Sequence, residues 1–374
     1  MNRPDFDFGA LFPERKTLFA KELHGLSVRG RRVLITGAGG SIGSAMAGKL
    51  LRESPTRLLL IDHSEQALYD LRRRLGEGPQ RGILQYILGD VRDQRLIEET
   101  LSNEQPEIIF HTAAFKHVPL LEENPFAAVE NNGVATWRLT QSAANSGVTK
   151  LLLISTDKAA NPRSMLGVSK RLAEAAILGA NTANSQMRAL RLGNVADSSG
   201  SVMPTFREQI ARGGPVTVTH RDAARYFLTM NETCLAIGAV TNTETSAGLL
   251  VPEMGEPVSI LRLAERMIDA ARVHSGKRIE IQITGLRPGD KLTEELLSRG
   301  ESLRAETVPG IREVGGQNFS REWIESKFIE IVEIVDRRDL AALLDVLREV
   351  VPEYQPGATV TSSCAAAGAG AGND

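Results

Sequence analysis

Cysteine is almost absent from this chain of 374 residues: Cys234 and Cys364 stand far apart, without metal-ligand spacing. That argues against a disulfide scaffold or a zinc site, implies a reducing compartment, and leaves no metal expected. An excess of either charge is missing too. Lys and Arg number 44 against 46 Asp and Glu, a formal net charge of −2 with a pI near 6.4. Such a balance offers no general basic field, so neither nucleic acid nor anionic lipid is expected as a partner. No apolar run approaches the roughly 18 to 20 residues of a membrane span, and the N-terminus lacks a signal-peptide core, so a cytoplasmic protein is expected. What is present is 42% hydrophobic residues, enough for a sizeable core. At about 150 residues per domain, the length suits two domains or one large one.

The first 30 residues mix charge with Phe6, Phe8, Leu11, Phe12 and a stretch from Leu18 to Leu26. They predict a short amphipathic helix that packs on the body or on a second subunit. From 31 to 195, β-like and helix-like runs alternate. Arg32–Thr36, Arg57–Asp62, Leu84–Leu88, Ile108–His111 and Leu151–Ser155 read as buried strands, with helical spacing after them, as at Ala45–Arg52 and Glu65–Leu75. This pattern predicts an α/β fold, a Rossmann-type doubly wound parallel sheet with helices on both faces. From 196 to 355 the segments shorten, and Gly213-Gly214-Pro215 and Arg287-Pro288-Gly289 signal turns. A smaller C-terminal α/β substrate lobe is expected there, with later segments able to rejoin the sheet. Residues 356–374, rich in Ala, Gly, Ser and Thr, read as a disordered tail.

The strongest local signal is Thr36-Gly37-Ala38-Gly39-Gly40-Ser41-Ile42-Gly43, placed where a strand turns into a helix. Gly37, Gly40 and Gly43 permit a tight turn, close approach to a pyrophosphate and close helix packing, and the helix N-terminus supplies N–H groups to the phosphates. Asp62 ends the next strand, where a carboxylate accepts from a ribose 2′-hydroxyl and repels a 2′-phosphate. NAD is therefore expected over NADP. Asp90 and Val91 after the third strand, and Ala113 and Ala114 after the fourth, fall on the same carboxyl edge and complete the cofactor set with Gly39, Ser41 and Ile42.

Ser155-Thr156-Asp157-Lys158-Ala159, followed by Gly167-Val168-Ser169-Lys170, brings in the residues of a known family. The chain resembles the extended short-chain dehydrogenase/reductases, and within them the polysaccharide-biosynthesis group that contains soluble UDP-N-acetylglucosamine 4,6-dehydratases. The resemblance runs from about Arg31 to Val350. It rests on the 36–44 and 155–159 motifs and on Ala113-Ala114-Phe115-Lys116-His117-Val118-Pro119-Leu120. Arg191-Leu192-Gly193-Asn194-Val195, Ser198-Ser199-Gly200-Ser201-Val202, Val216-Thr217-Val218-Thr219-His220, Arg225-Tyr226-Phe227, Met254-Gly255-Glu256-Pro257-Val258 and Arg287-Pro288-Gly289-Asp290-Lys291 extend it.

The resemblance implies an NAD-dependent nucleotide-sugar 4,6-dehydratase. Hydride leaves C-4, a base takes the C-5 proton, an acid protonates the departing 6-hydroxyl, and hydride returns to C-6. It assigns C-5 deprotonation to Lys158 and leaving-group protonation to Asp157; with Leu166 unable to take the 4-hydroxyl proton, Asp157 or a water is expected to do so, helped by Thr156. Lys170 is expected to hold the nicotinamide ribose. A lysine beside a cationic cofactor and Lys170 is expected to have a lowered pKa. Lys116, His117, Asn194, Ser201, Arg225 and Arg287 are the expected substrate contacts, Arg287 foremost because an arginine suits a diphosphate. Asn132 matches an asparagine that orders the active-site helix, and a homo-oligomer is expected.

Several positions depart from the family pattern. Leu166 stands four residues before Lys170, where the superfamily places its catalytic tyrosine. Leu192 replaces an aromatic residue, while Asp197 and Ala135 each replace a glycine. These departures leave open an epimerase, a 5,6-dehydratase or an oxidoreductase on a nucleotide sugar, and a catalytically silent NAD-binding protein.

Overall fold

A computed structural model describes residues 6–16, 27–76, 82–180, 185–244, 248–275, 278–316, 319–357 and 360. Part of the expected N-terminal helix and most of the expected tail lie outside these residues.

Five largely apolar runs form strands, four of them buried and the edge strand Leu84–Leu88 only half-buried. They are β1 (Arg32–Thr36), β2 (Arg57–Asp62), β3 (Leu84–Leu88), β4 (Ile108–His111) and β5 (Lys150–Thr156), with β6 (Gln186–Leu192) beyond them. The sheet has nine strands, in the order Ser302–Val308, Ile311–Gly315, Leu249–Pro252, β6, β5, β4, β1, β2, β3. From β3 to Leu249–Pro252 every pairing is parallel; the last two pairings are antiparallel. The chain order reverses between β1 and β4, and a crevice opens at such a point over the carboxyl ends of the strands. The glycine-rich turn follows β1 and Ala113-Ala114 follows β4, so both border it.

Late segments rejoin this layer. The helices Arg321–Arg337 and Leu340–Val350 pack on the Met165–Ala180 helix through Ile324, Phe328, Ile331, Leu343 and Leu347. That helix is consequently buried on almost every side, Lys170, Arg171 and Glu174 included. The smaller lobe has its own apolar core around Met203, Phe206, Phe227, Leu263 and Met267. The N-terminal segment packs there: Phe8 meets the Phe227 ring at 5.0 Å, and Arg15 pairs with Glu232 at 2.9 Å.

Candidate active site

The turn after β1 needs its glycines for space. A Cβ on Gly37, whose φ is +68°, would stand 2.6 Å from the Ala113 backbone; one on Gly43 would stand 2.3 Å from the Gly37 carbonyl oxygen. The Ser41–Arg52 helix then begins at Gly40 with no side-chain cap, leaving its first N–H groups for an anion. Asp62, buried at the end of β2, accepts from the Gly39 and Ser64 N–H groups, each at 2.9 Å. A carboxylate has about four acceptor sites, so two backbone donors leave capacity for a ribose hydroxyl. Val91 is buried nearby, while the Asp90 carboxylate is held by Arg92 at 2.7 Å and kept below the usual carboxylate range by it. The cradle fits a dinucleotide.

His111, at the end of β4, is fully buried between the Thr36 hydroxyl at 2.6 Å and the Thr136 hydroxyl at 2.9 Å. Burial, assisted by the Lys170 charge, pushes its pKa down to about 3, so the ring is neutral. One π-helical segment, Val129–Val134, follows. Its Asn132 accepts from the Phe115 N–H and donates to the Phe115 carbonyl and the Ser169 hydroxyl, tying the turn after β4 to the Met165–Ala180 helix.

Asp157 and Lys158, the expected acid and base, lie at the carboxyl end of β5, on a short 3-10 turn, Asp157–Ala159. Gly167 lets the next helix close on that turn, since a Cβ there would meet the Lys158 carbonyl oxygen at 2.3 Å. The Lys158 ammonium lies 3.0 Å from Asp157 Oδ1, 3.1 Å from Asn194 Oδ1 and 3.5 Å from Glu294 Oε1. Thr156 donates to Asp157 Oδ1 at 2.9 Å. Asp157 is completely buried, and its Oδ2 has no partner among the described residues. Burial, reinforced by the Glu294 charge, raises the Asp157 pKa.

The expectation for Lys158 is reversed. Burial alone would lower its pKa, but the attraction of Asp157 and Glu294 outweighs burial and raises it. Burial instead lowers Lys116 and Lys170, the latter to about 8.

The expected substrate residues surround this centre unevenly. Lys116 donates to the Ser199 carbonyl, Ser199 donates from its N–H to the Ser41 hydroxyl at 3.0 Å, and a Cβ on Gly200 would press on the His117 ring. The 198–201 loop thus bridges the glycine-rich turn and the turn after β4. Ser201 precedes the Val202–Arg212 helix with a buried hydroxyl that lacks a partner among the described residues. Asp197 takes the left-handed φ of +59° that suits a glycine and is held by Arg207 at 2.8 Å.

Arg225, expected at a diphosphate, instead donates to the carbonyls of Ala224, Lys291 and Leu292, and its Nε faces Glu294 at 3.5 Å. Arg287 is exposed and paired with Asp290 at 2.9 Å. Leu166 is buried and brings no phenol. Sequence reading passed over two residues here. Glu294 follows Asp290 and Lys291 in a charged stretch indistinguishable from a solvated face. Tyr226 flanks Gly193, and its phenol is raised by burial, Glu256 and Asp157.

Comparison with known proteins gives this geometry a family. A family model described as a polysaccharide biosynthesis protein matches residues 33–315. The chain belongs to that family, within the extended short-chain dehydrogenase/reductases. It is 36% identical to the probable polysaccharide biosynthesis protein EpsC of Bacillus subtilis over 85% of this chain, and spans only about half (53%) of that relative's length. It is 28% identical to the inverting UDP-N-acetylglucosamine 4,6-dehydratase of Campylobacter jejuni, over 73% of this chain and 79% of the relative. A UDP-glucose 4-epimerase of Rickettsia rickettsii is 30% identical over 74% of this chain and 81% of its own.

Among solved structures, Pen from Bacillus thuringiensis superposes with a TM-score of 0.68 at 27% identity, covering 81% of this chain and 98% of its own. DesIV of Streptomyces venezuelae, a dTDP-glucose 4,6-dehydratase solved with NAD, shares the fold with a TM-score of 0.60. Its identity is 21%, over 71% of this chain and 88% of its own. Among the described residues no helix is long and apolar enough to cross a membrane.

Proposed function

We propose that this protein is an NAD-dependent nucleotide-sugar 4,6-dehydratase acting on UDP-N-acetylglucosamine or a close analogue. The observation that carries the reading is the Asp157–Lys158 pair, its carboxylate fully buried and one carboxylate oxygen without a partner among the described residues. Gly37, Gly40, Gly43 and Asp62 would hold the cofactor, and the carboxylate of Asp62 favours NAD over NADP. NAD bound there supplies a hydride acceptor for C-4 and a hydride donor for C-6.

The protein's own groups manage the protons. The Asp157 carboxylate takes the 4-hydroxyl proton, with the Thr156 hydroxyl aligned beside it. Because burial raises its pKa, the same carboxyl can keep that proton and deliver it to the departing 6-hydroxyl, which leaves as water. Lys158 first releases its resting proton through its solvent-facing fifth (side-chain exposure 20%). As the free amine it takes the C-5 proton and returns one to C-5, which permits inversion at that carbon. The sum is sugar converted to a 4-keto-6-deoxy sugar plus water. Ser201, with its unpartnered hydroxyl before a helix N-terminus, and Arg287 on its turn are suited to the substrate's phosphates.

The test is mass spectrometry of purified protein incubated with UDP-N-acetylglucosamine in deuterium oxide without added cofactor. Loss of water with one non-exchangeable deuterium at C-5 is expected. Conversion to an isomer, or no change across a panel of nucleotide sugars, would replace this reading with an epimerase or a silent NAD-binding protein.

A further inference from the structure

Lys158 carries two carboxylates where one acid–base partner would suffice. Asp157 is on its own turn. Glu294 arrives from the segment after the Arg287–Asp290 turn, a segment anchored by the Lys291 ammonium on the Ala160 carbonyl at 2.8 Å and by the Asn161 N–H on the Ser298 hydroxyl at 3.1 Å. Glu294 is buried, and its Oε1 is shared between the Lys158 ammonium and the Arg225 guanidinium, each 3.5 Å away. Its Oε2 is buried without a partner among the described residues. Arg225 cannot turn away, since three backbone carbonyls hold its other nitrogens.

Asp157, Glu294, Arg225 and Asn194 face Lys158 from the elements around it, and Tyr226 lies near Asp157. The two carboxylates balance the two cations, so the charge inventory closes only with Glu294 included.

We propose that Glu294 is a positioning residue of this centre: its buried carboxylate, steadied by Arg225, holds the Lys158 ammonium against Asp157 and keeps its proton in place until substrate fills the cleft. The inference rests on reading Asp157–Lys158 as the acid–base pair and extends it to a residue that acts through Lys158. An opposite charge within about 4–6 Å moves a pKa by one to three units. Replacing the Glu294 carboxylate by a neutral amide therefore lets Lys158 lose its proton at lower pH.

The experiment follows the lysine side chains of isotope-labelled protein by NMR from pH 6 to 11, with the Lys158 signal assigned by its loss in Lys158→Arg. In Glu294→Gln the Lys158 titration is expected to move toward lower pH by about one unit or more. Glu294→Asp, which retracts the charge by one methylene, moves it part of the way and serves alone if the Gln variant fails to fold. Lys170, titrating at about 8 beside Glu174, is the internal reference and stays in place. A Lys158 titration unmoved in the folded variants overturns the proposal. Where turnover is measurable, both limbs of its pH profile shift in the same direction in Glu294→Gln, whereas a merely structural glutamate would lower the rate and leave the limbs alone. A shifted Lys158 in a protein that converts no nucleotide sugar upholds the role of Glu294 and removes the dehydratase.

Discussion

Two largely buried charge clusters differ in how fully their carboxylates are paired: one, built on Arg171 and Arg191 with Glu174, Glu301 and, 3.4 Å from Arg171, Glu353, is nearly closed, while the other, of two cations and two carboxylates, is open. In the closed cluster Arg191 reaches Glu174 at 2.7 Å and Glu301 at 2.6 Å, while Arg171 reaches the same two at 2.9 and 3.2 Å. The Ser155 hydroxyl and the Ser298 N–H add further donors, and every oxygen of Glu174 and Glu301 is engaged. In the open cluster of Asp157, Lys158, Arg225 and Glu294, one oxygen of each carboxylate is left over. Geometry explains the difference. Two planar guanidinium forks match carboxylates edge to edge, whereas Lys158 is a point charge and Arg225 spends its fork on backbone carbonyls. A satisfied cluster holds elements together; a cluster with spare acceptors can take up and release protons.

The comparison breaks most visibly at Lys158. Lys158→Met is expected to cut turnover by about a thousandfold or more while the protein still folds, as removal of a general base does. A loss below tenfold, measured with saturating nucleotide sugar, would put the proton chemistry elsewhere. Arg191→Met should do the reverse. It leaves two buried carboxylates to share the single Arg171 cation and is expected to destabilise the protein by about 3 kcal/mol. A urea midpoint close to that of the unmutated chain would show that the closed cluster contributes little.

Lys170 sharpens the contrast, being a buried cation in neither cluster. Its folded pKa of about 8 lies below the ordinary lysine value of 10.5, so folding buries an ammonium at a cost. That cost is full below pH 8 and fades as pH rises toward 10.5. Lys170→Met is therefore expected to stabilise the fold at pH 7, by up to about 3 kcal/mol, and progressively less at pH 9 and above. The variant is also expected to lose activity. A Met variant that melts lower than the parent at pH 7 would mean that Lys170 holds the helix in place.

Much of this architecture is legible along the chain. The bounds of β1, β2 and β4 coincide with the apolar runs, because an inner strand of a parallel sheet covered on both faces has to be almost continuously apolar. The glycine-rich turn is equally plain, since each required glycine answers a contact a Cβ would forbid. Asp157 and Lys158 follow from motif resemblance, and so does the missing phenol at Leu166. Other features were hidden for one reason: their meaning depends on partners far away in sequence. Arg225 reads as a diphosphate ligand until Lys291 and Leu292 supply carbonyls to it. Glu294 reads as surface charge until the 291–298 segment docks on Ala160 and Asn161. The lowered Lys158 pKa was argued from neighbouring positive charge, and the nearer carboxylates reverse it.

Short-range rules of sterics and periodicity thus placed the strands and the glycine-rich turn within the linear order of residues, and motif resemblance singled out Asp157 and Lys158. Protonation, pairing and burial were left to the packed chain, because electrostatic interactions strengthen as water is excluded and depend on distances that only folding sets. Lys158 and Lys170 show it most directly: twelve residues apart and alike in chemistry, one is driven above the ordinary lysine value by two carboxylates and the other below it by burial.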